Sequence, residues 1–448
     1  DFVITLFESC YAMGVGDTPA LNSDALVFLK QWKDSVRHGE AFGTLSADCA
    51  DVLGIEQDLQ TRDYRKLLGV EIFELVDRKI LSDLVRDVAK DTISSTEVER
   101  LVRRRRQSHW YADYEDEYAA VEEGAAFIDA LEQNDLTVHA PGSSGVARVI
   151  ERYARLWYQL DQRYRKFIHH VRQSGQTTLF DALSERVENL YTNSYLLQLN
   201  NQWQVVVDDL DAWRGGSILP QQEFFERLVR PFLARDNKVF VVISDGLRYE
   251  VGEELLRLIR QEDRYEADIE PALTLLPSYT QLGMAALLPH ERLEIADDGS
   301  TVLVDGESSA GTTNRRKILE RACSGRATAV RAKDLLAMNK EQSRTLIREH
   351  DVVYVYQNRI DAVGDKRDSE ERVFDAAEGT LEELVKIVKK LAGANANNML
   401  VTADHGFIYQ NEQLDESDFI GQNVVGAEIT TRNRRFVLGE GLKATRSF

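Results

Sequence analysis

Apolar positions in the first 135 residues recur with a helical period. Residues 25–29 form an apolar run that leads into a charged stretch. Leu67, Val70, Ile72, Phe73, Val76, Ile80, Leu84 and Val88 then step by threes and fours, which predicts an amphipathic helix. Ser94 followed by Glu97 is a capping-box pattern and opens the next helix, and residues 116–133 read as a third. Val149, Tyr153, Trp157, Leu160, Tyr164, Phe167 and Val171 form the seam of a long helix facing a partner. Ser174-Gly175 breaks that helix, and Leu179, Leu183, Val187 and Leu190 resume the period, so an antiparallel helical hairpin is expected. Residues 136–145, containing HAPGSSG, carry turn formers between periodic segments and read as a linker.

After Arg214-Gly215-Gly216 and a short helix over 221–233, the texture changes. Residues 239–243, 352–355 and 399–401 are short β-branched-rich runs separated by helical or loop material. That is the mark of parallel strands buried on both faces. The expected fold class is α/β, a parallel-sheet domain preceded by a mainly α-helical region. The expected division is 1–135 helical, 136–237 helical hairpin and linker, and 238–448 the sheet domain.

Composition narrows the setting. With 43% hydrophobic and 29% charged residues, and no apolar run of the roughly 20 residues that a membrane helix needs, no membrane association is expected. A net charge of −20 argues against a protein that coats nucleic acid, because phosphate affinity comes from clustered Lys and Arg. Cys10, Cys49 and Cys323 are odd in number and far apart, which fits a reducing cytoplasmic compartment better than a disulfide framework. The opening DFVITLFESCYAMG lacks a basic leader region and reads as a piece of a longer chain.

Each expected strand ends in polar residues with metal-binding chemistry. The first runs into Ser244-Asp245-Gly246. The second runs into Gln357 to Asp361, with Asp365 four residues on. The third runs into Ala403-Asp404-His405-Gly406. Open parallel sheets bind ligands at the carboxyl ends of their strands, so these distant clusters should converge in space. Carboxylates converging with a histidine suit a divalent cation.

The segments VFVVISDGLRYEVGEEL, LTLLPSYTQLGMAALLP, VVYVYQNRIDAVGDK and NMLVTADHGFIYQ resemble, in order and spacing, the PglZ domain of the alkaline phosphatase superfamily, found in BREX phage-defence systems. The resemblance implies a metal-dependent phosphatase or phosphodiesterase/nuclease binding up to two divalent ions, Zn, Mn or Mg. The first ion would be held by Asp245, Thr280, Asp404 and His405. Thr280, 35 residues after Asp245, would be the nucleophile, with Ser278 as the alternative and Thr274 more distant. Asp361 and Asp365 would serve the second ion. Asp365 stands where the family carries His, and no histidine follows His405, so a C-terminally truncated domain is expected. The Asp shifts the second site toward harder cations.

Arg248 and Arg359, beside the presumed ligands, could hold a phosphate in their guanidinium forks, or pair with a carboxylate. The polar stretch 308–317 reads as a surface loop. The run Arg103–Arg106 with nearby Trp110 could stack single strands, but a salt-bridged helix face accounts for it better. Implied partners are other BREX components, with DNA or a phosphorylated protein as substrate. The competing reading is a weakly active or inactive scaffold that docks other defence proteins.

Overall fold

The computed structural model describes residues 1–35, 37–138, 143–262, 264–364, 372–411, 424–432 and 436–443. The chain divides into two compact units, one of Asp1–Leu136 with Gln159–Leu199, the other of Thr137–Tyr158 with Asn200–Phe448. Part of the expected linker, residues 139–142, and Asp365 lie outside the described residues.

The first unit is helical. Ser94 caps the helix Ser95–Arg105 by accepting the Glu97 amide, as its spacing predicts. The hairpin expected around Gly175 forms, with Gly175 at φ 63°. Tyr164 and Tyr191 stack with ring centroids 3.6 Å apart, and Phe167 meets Phe180 edge-on.

The helix expected from Leu67 begins only at Leu75. The carbonyls of Leu68 and Val70 accept from Arg105 Nη1 at 3.2 and 2.8 Å, which takes them from any helical ladder. Arg105 is fully buried, its fork on the carboxylate of Asp77, with Nε 2.7 Å from Oδ1. Tyr118 donates to the same Oδ1 at 2.6 Å. Its neighbours Arg103 and Arg106 pair outward with Glu99 and Glu122. The arginine run thus serves the fold and the helix surface. Arg105→Met leaves the Asp77 carboxylate buried and uncompensated, and is expected to cost about 3 kcal/mol in urea unfolding. Adding Asp77→Leu should recover part of that loss.

The second unit is built on a four-stranded parallel sheet: β1 (Val239–Ser244), β2 (Ala327–Arg331), β3 (Val352–Gln357) and β4 (Met399–Thr402), in the order β2-β3-β1-β4. Every residue of β1 and β3 is buried, as parallel strands covered on both faces require. Residues 327–331 had no apolar run to reveal β2: its sequence is Ala-Thr-Ala-Val-Arg. One face of the sheet packs Val241, Ile243 and Tyr354 against Leu282, Leu287 and Leu288. Register does the rest. Ser244 pairs with Gln357 and Ile243 with Thr402, so three strand ends finish side by side at the sheet's carboxyl edge. A separate three-stranded antiparallel sheet comprises Leu293–Ile295, Val302–Val304 and Glu307–Ser308. Among the described residues no helix is long and apolar enough to cross a membrane.

Candidate metal centre

Asp245 directly follows β1, and its amide donates to the carbonyl of Gln357 at the end of β3, 2.8 Å away. Ser244 Oγ locks onto Gln357 Oε1 at 2.7 Å. Gly246 turns the chain with φ 75°, and its N–H donates to Asp404 Oδ1 at 3.1 Å. A side chain at Gly246 would meet both the left-handed penalty and the Phe407 ring, 3.0 Å from its Cβ. Asp404 and His405 sit just past β4, each 1% exposed. Gln221 Nε2 holds the Asp404 carbonyl from below at 2.6 Å.

Thr280 opens the helix Thr280–Ala286. That helix rides on the β4 end through Gly283, where a Cβ would fall 2.3 Å from the Asp404 carbonyl oxygen. The close approach sets Thr280 Oγ1 at 3.1 Å from His405 Nε2. The same nitrogen lies 3.5 Å from Asp245 Oδ1, 3.6 Å from Asp404 Oδ2 and 3.7 Å from Asp361 Oδ1. Five side chains from four separate segments therefore surround one point.

The donor set fits a divalent cation. One ligand atom each from Asp245, Asp404 and His405 lies within 4.8 Å of the others, and all three residues are buried. Asp245 Oδ1, Asp404 Oδ2 and His405 Nδ1 have no hydrogen-bond partner among the described residues. Burial pushes the Asp245 carboxyl far above the usual carboxylate range, with the neighbouring charges of Asp404 and Asp361 adding to it. Orphaned buried oxygens that repel one another are costly for a bare protein, and one cation satisfies them together.

Not every expected residue joins the cluster. Ser278 is half-buried, two residues upstream, and does not line the cleft that Thr280 lines. Arg248 turns its guanidinium over the Tyr409 ring, 4.9 Å from the centroid. Arg359 borders the cleft but lies across the backbone of Gly379, donating to its carbonyl at 3.3 Å. The stretch 308–317, expected as a surface loop, supplies the first turns of the helix Gly311–Ala322. Its polarity is that of a helix whose buried positions are few: Arg315, Ile318 and Leu319. Sequence reading passed over Gln221 and Gly283, whose roles depend on neighbours more than a hundred residues away.

A parallel sheet with carboxylates and a histidine gathered at its strand ends, and a hydroxyl at a helix entrance facing them, defines an alkaline phosphatase-like α/β domain. The chain belongs to the PglZ family: the model of the BREX system PglZ alkaline phosphatase-like domain matches residues 224–447. It is 30% identical over 424 residues to the alkaline phosphatase-like protein PglZ of Bacillus cereus (strain H3081.97), covering 94% of this chain and 49% of that protein. It is 32% identical over 444 residues to the alkaline phosphatase-like protein BrxZ of Escherichia coli O9:H4 (strain HS), covering 95% of this chain and 50% of that one. The chain spans about half the length of these curated relatives.

Proposed function

We propose that this domain is a metal-dependent phosphoester hydrolase, a phosphatase or a phosphodiesterase/nuclease, working in the cytoplasm with other components of a BREX-type phage-defence system. DNA or a phosphorylated partner protein is its substrate in this reading. The observation that carries it is the set of buried, unpartnered oxygens of Asp245 and Asp404 beside His405 at the sheet's carboxyl edge. Asp245, Asp404, His405 and Thr280 would hold the first ion. Asp361 would serve a second, together with Asp365. Bound divalent metal, Mn²⁺, Mg²⁺ or Zn²⁺, supplies Lewis-acid stabilisation of charge on the phosphoryl oxygens. The protein's part is positioning. Gly246 and Gln221 fix Asp404, Gly283 lets Thr280 approach it, and Thr280 presents its hydroxyl to the cleft as the attacking group.

The test is hydrolysis of p-nitrophenyl phosphate and bis-p-nitrophenyl phosphate by the full-length protein with each metal in turn. Turnover that appears with metal and disappears with chelator is expected, and the preferred ester separates phosphatase from phosphodiesterase. No turnover with any metal on either ester would leave the scaffold reading in its place.

A further inference from the structure

A buried arginine lines the same cleft with no carboxylate paired to it among the described residues. Arg315 lies in the second turn of the helix Gly311–Ala322 and is only 7% exposed. Arginine is rarely buried without a carboxylate partner, because its desolvation is otherwise uncompensated. Yet among the described residues no Asp or Glu oxygen pairs with Arg315, whereas Arg105, buried to a similar degree, has Asp77. Two contacts aim it. Nε donates to the buried Ser309 carbonyl at 2.9 Å, and the guanidinium carbon sits 4.8 Å from the centroid of the Tyr356 ring. Tyr356 belongs to β3, one residue before the Gln357 that braces Asp245. The hydrogen bond to Ser309 uses Nε rather than a terminal nitrogen, and the residue lines the cleft. That cleft, of about 650 Å³, is lined by Arg315 together with Asp245, Thr280 and Asp361.

We infer that Arg315 is the phosphate clamp of this site, its two terminal nitrogens gripping non-bridging phosphoryl oxygens while the ester bond faces Thr280. The inference rests on the metal-site reading and adds to it the residue that recognises the anion. Geometry favours Arg315 over the two arginines that the sequence singles out, since Arg248 does not line the cleft and Arg359 gives a terminal nitrogen to the Gly379 carbonyl where Arg315 bonds through Nε. A planar fork matches a tetrahedral oxyanion through two parallel bonds, and stacking on Tyr356 pre-orients it at little entropic cost.

Calorimetric titration tests this without turnover, using Mn²⁺ first and inorganic phosphate second. Arg315→Met keeps the stem against Tyr356 and removes the fork, so phosphate affinity should fall about tenfold or more with Mn²⁺ affinity unchanged. Arg315→Lys keeps the charge without the fork and should lose roughly threefold. Phosphate binding by Arg315→Met at the wild-type level would overturn the clamp and leave the metal site standing. Joint loss of Mn²⁺ and phosphate binding in both variants would overturn it too, by making Arg315 a structural support. A wild-type chain that takes up no Mn²⁺ fails at the first titration, and the metal reading then falls with the clamp.

Discussion

Asp245→Asn is expected to lower Mn²⁺ affinity by about a hundredfold or more while leaving the metal-free protein at least as stable as the wild type. The two effects have opposite signs for one reason. Asp245 is 5% exposed and its carboxyl is raised by burial first, then by Asp404 and Asp361. A carboxyl raised in the folded state holds a proton there that the unfolded chain gives up at its ordinary value of 3.8. Stability of the metal-free wild type is therefore fully present below that value and declines as pH rises toward the elevated folded one. Asparagine does not titrate, so the variant lacks this contribution to the decline. Metal should reverse the balance, and far more for the wild type than for the variant. Bound at the deprotonated cluster, it is expected to stabilise the fold by RT ln(1 + [L]/Kd), about 2.7 kcal/mol at a hundredfold excess over Kd. Thermal melts from pH 5.5 to 8.5, with and without Mn²⁺, read both effects. A Mn²⁺-induced shift as large in Asp245→Asn as in the wild type would remove Asp245 from the ligand set.

Two of the three strands that deliver the cluster, β1 and β3, were legible because a strand buried on both faces must be apolar throughout, whereas β4 is only half-buried at the end of the strand order. Val239–Ser244 and Val352–Gln357 have little else in them until their last residues. The polar residues at their ends stood out against that background. β2 carries no such run, and only its pairing with β3 makes it a strand. The period from Leu67 misled for a related reason. Residues buried in an irregular segment are as apolar as those of a helix, and the guanidinium of Arg105, far along the chain, decides which backbone bonds form there. Arg315 had no signal either: in the run Asn314-Arg315-Arg316-Lys317 it looks like its neighbours. Burial and the lack of a paired carboxylate among the described residues distinguish it, and both are properties of the folded neighbourhood. Residue types thus pointed to the anionic half of the site, and for a cationic half they pointed to Arg248 and Arg359, which the fold sets over Tyr409 and against Gly379.

Thr280→Ala should reduce metal-dependent hydrolysis by about a thousandfold or more while keeping metal affinity within roughly threefold. The asymmetry follows from what the side chain contributes. Its hydroxyl is one neutral oxygen beside two buried carboxylates and a histidine, so the cation loses little when it goes. The fold loses little as well. Thr280 is half-buried, and the helix it opens takes Tyr279 as its cap with no side-chain cap bond. In the proposed mechanism chemistry loses its attacking atom, since Thr280 Oγ1 is the hydroxyl 3.1 Å from His405 Nε2 and in the cleft beside Asp245. Thr280→Ser restores an oxygen at the same position and should recover much of the rate, which a loss of packing alone would not do. Ser278→Ala is the control and should leave the rate close to wild type, because Ser278 lies outside the cleft lining. Burst kinetics with p-nitrophenyl phosphate add a direct reading: a phosphothreonine at 280, trapped at low pH and located by mass spectrometry, is expected in the wild type and absent from Thr280→Ala. Full turnover by Thr280→Ala, with the burst retained, would move the attack to Ser278, and full turnover without a burst would move it to water.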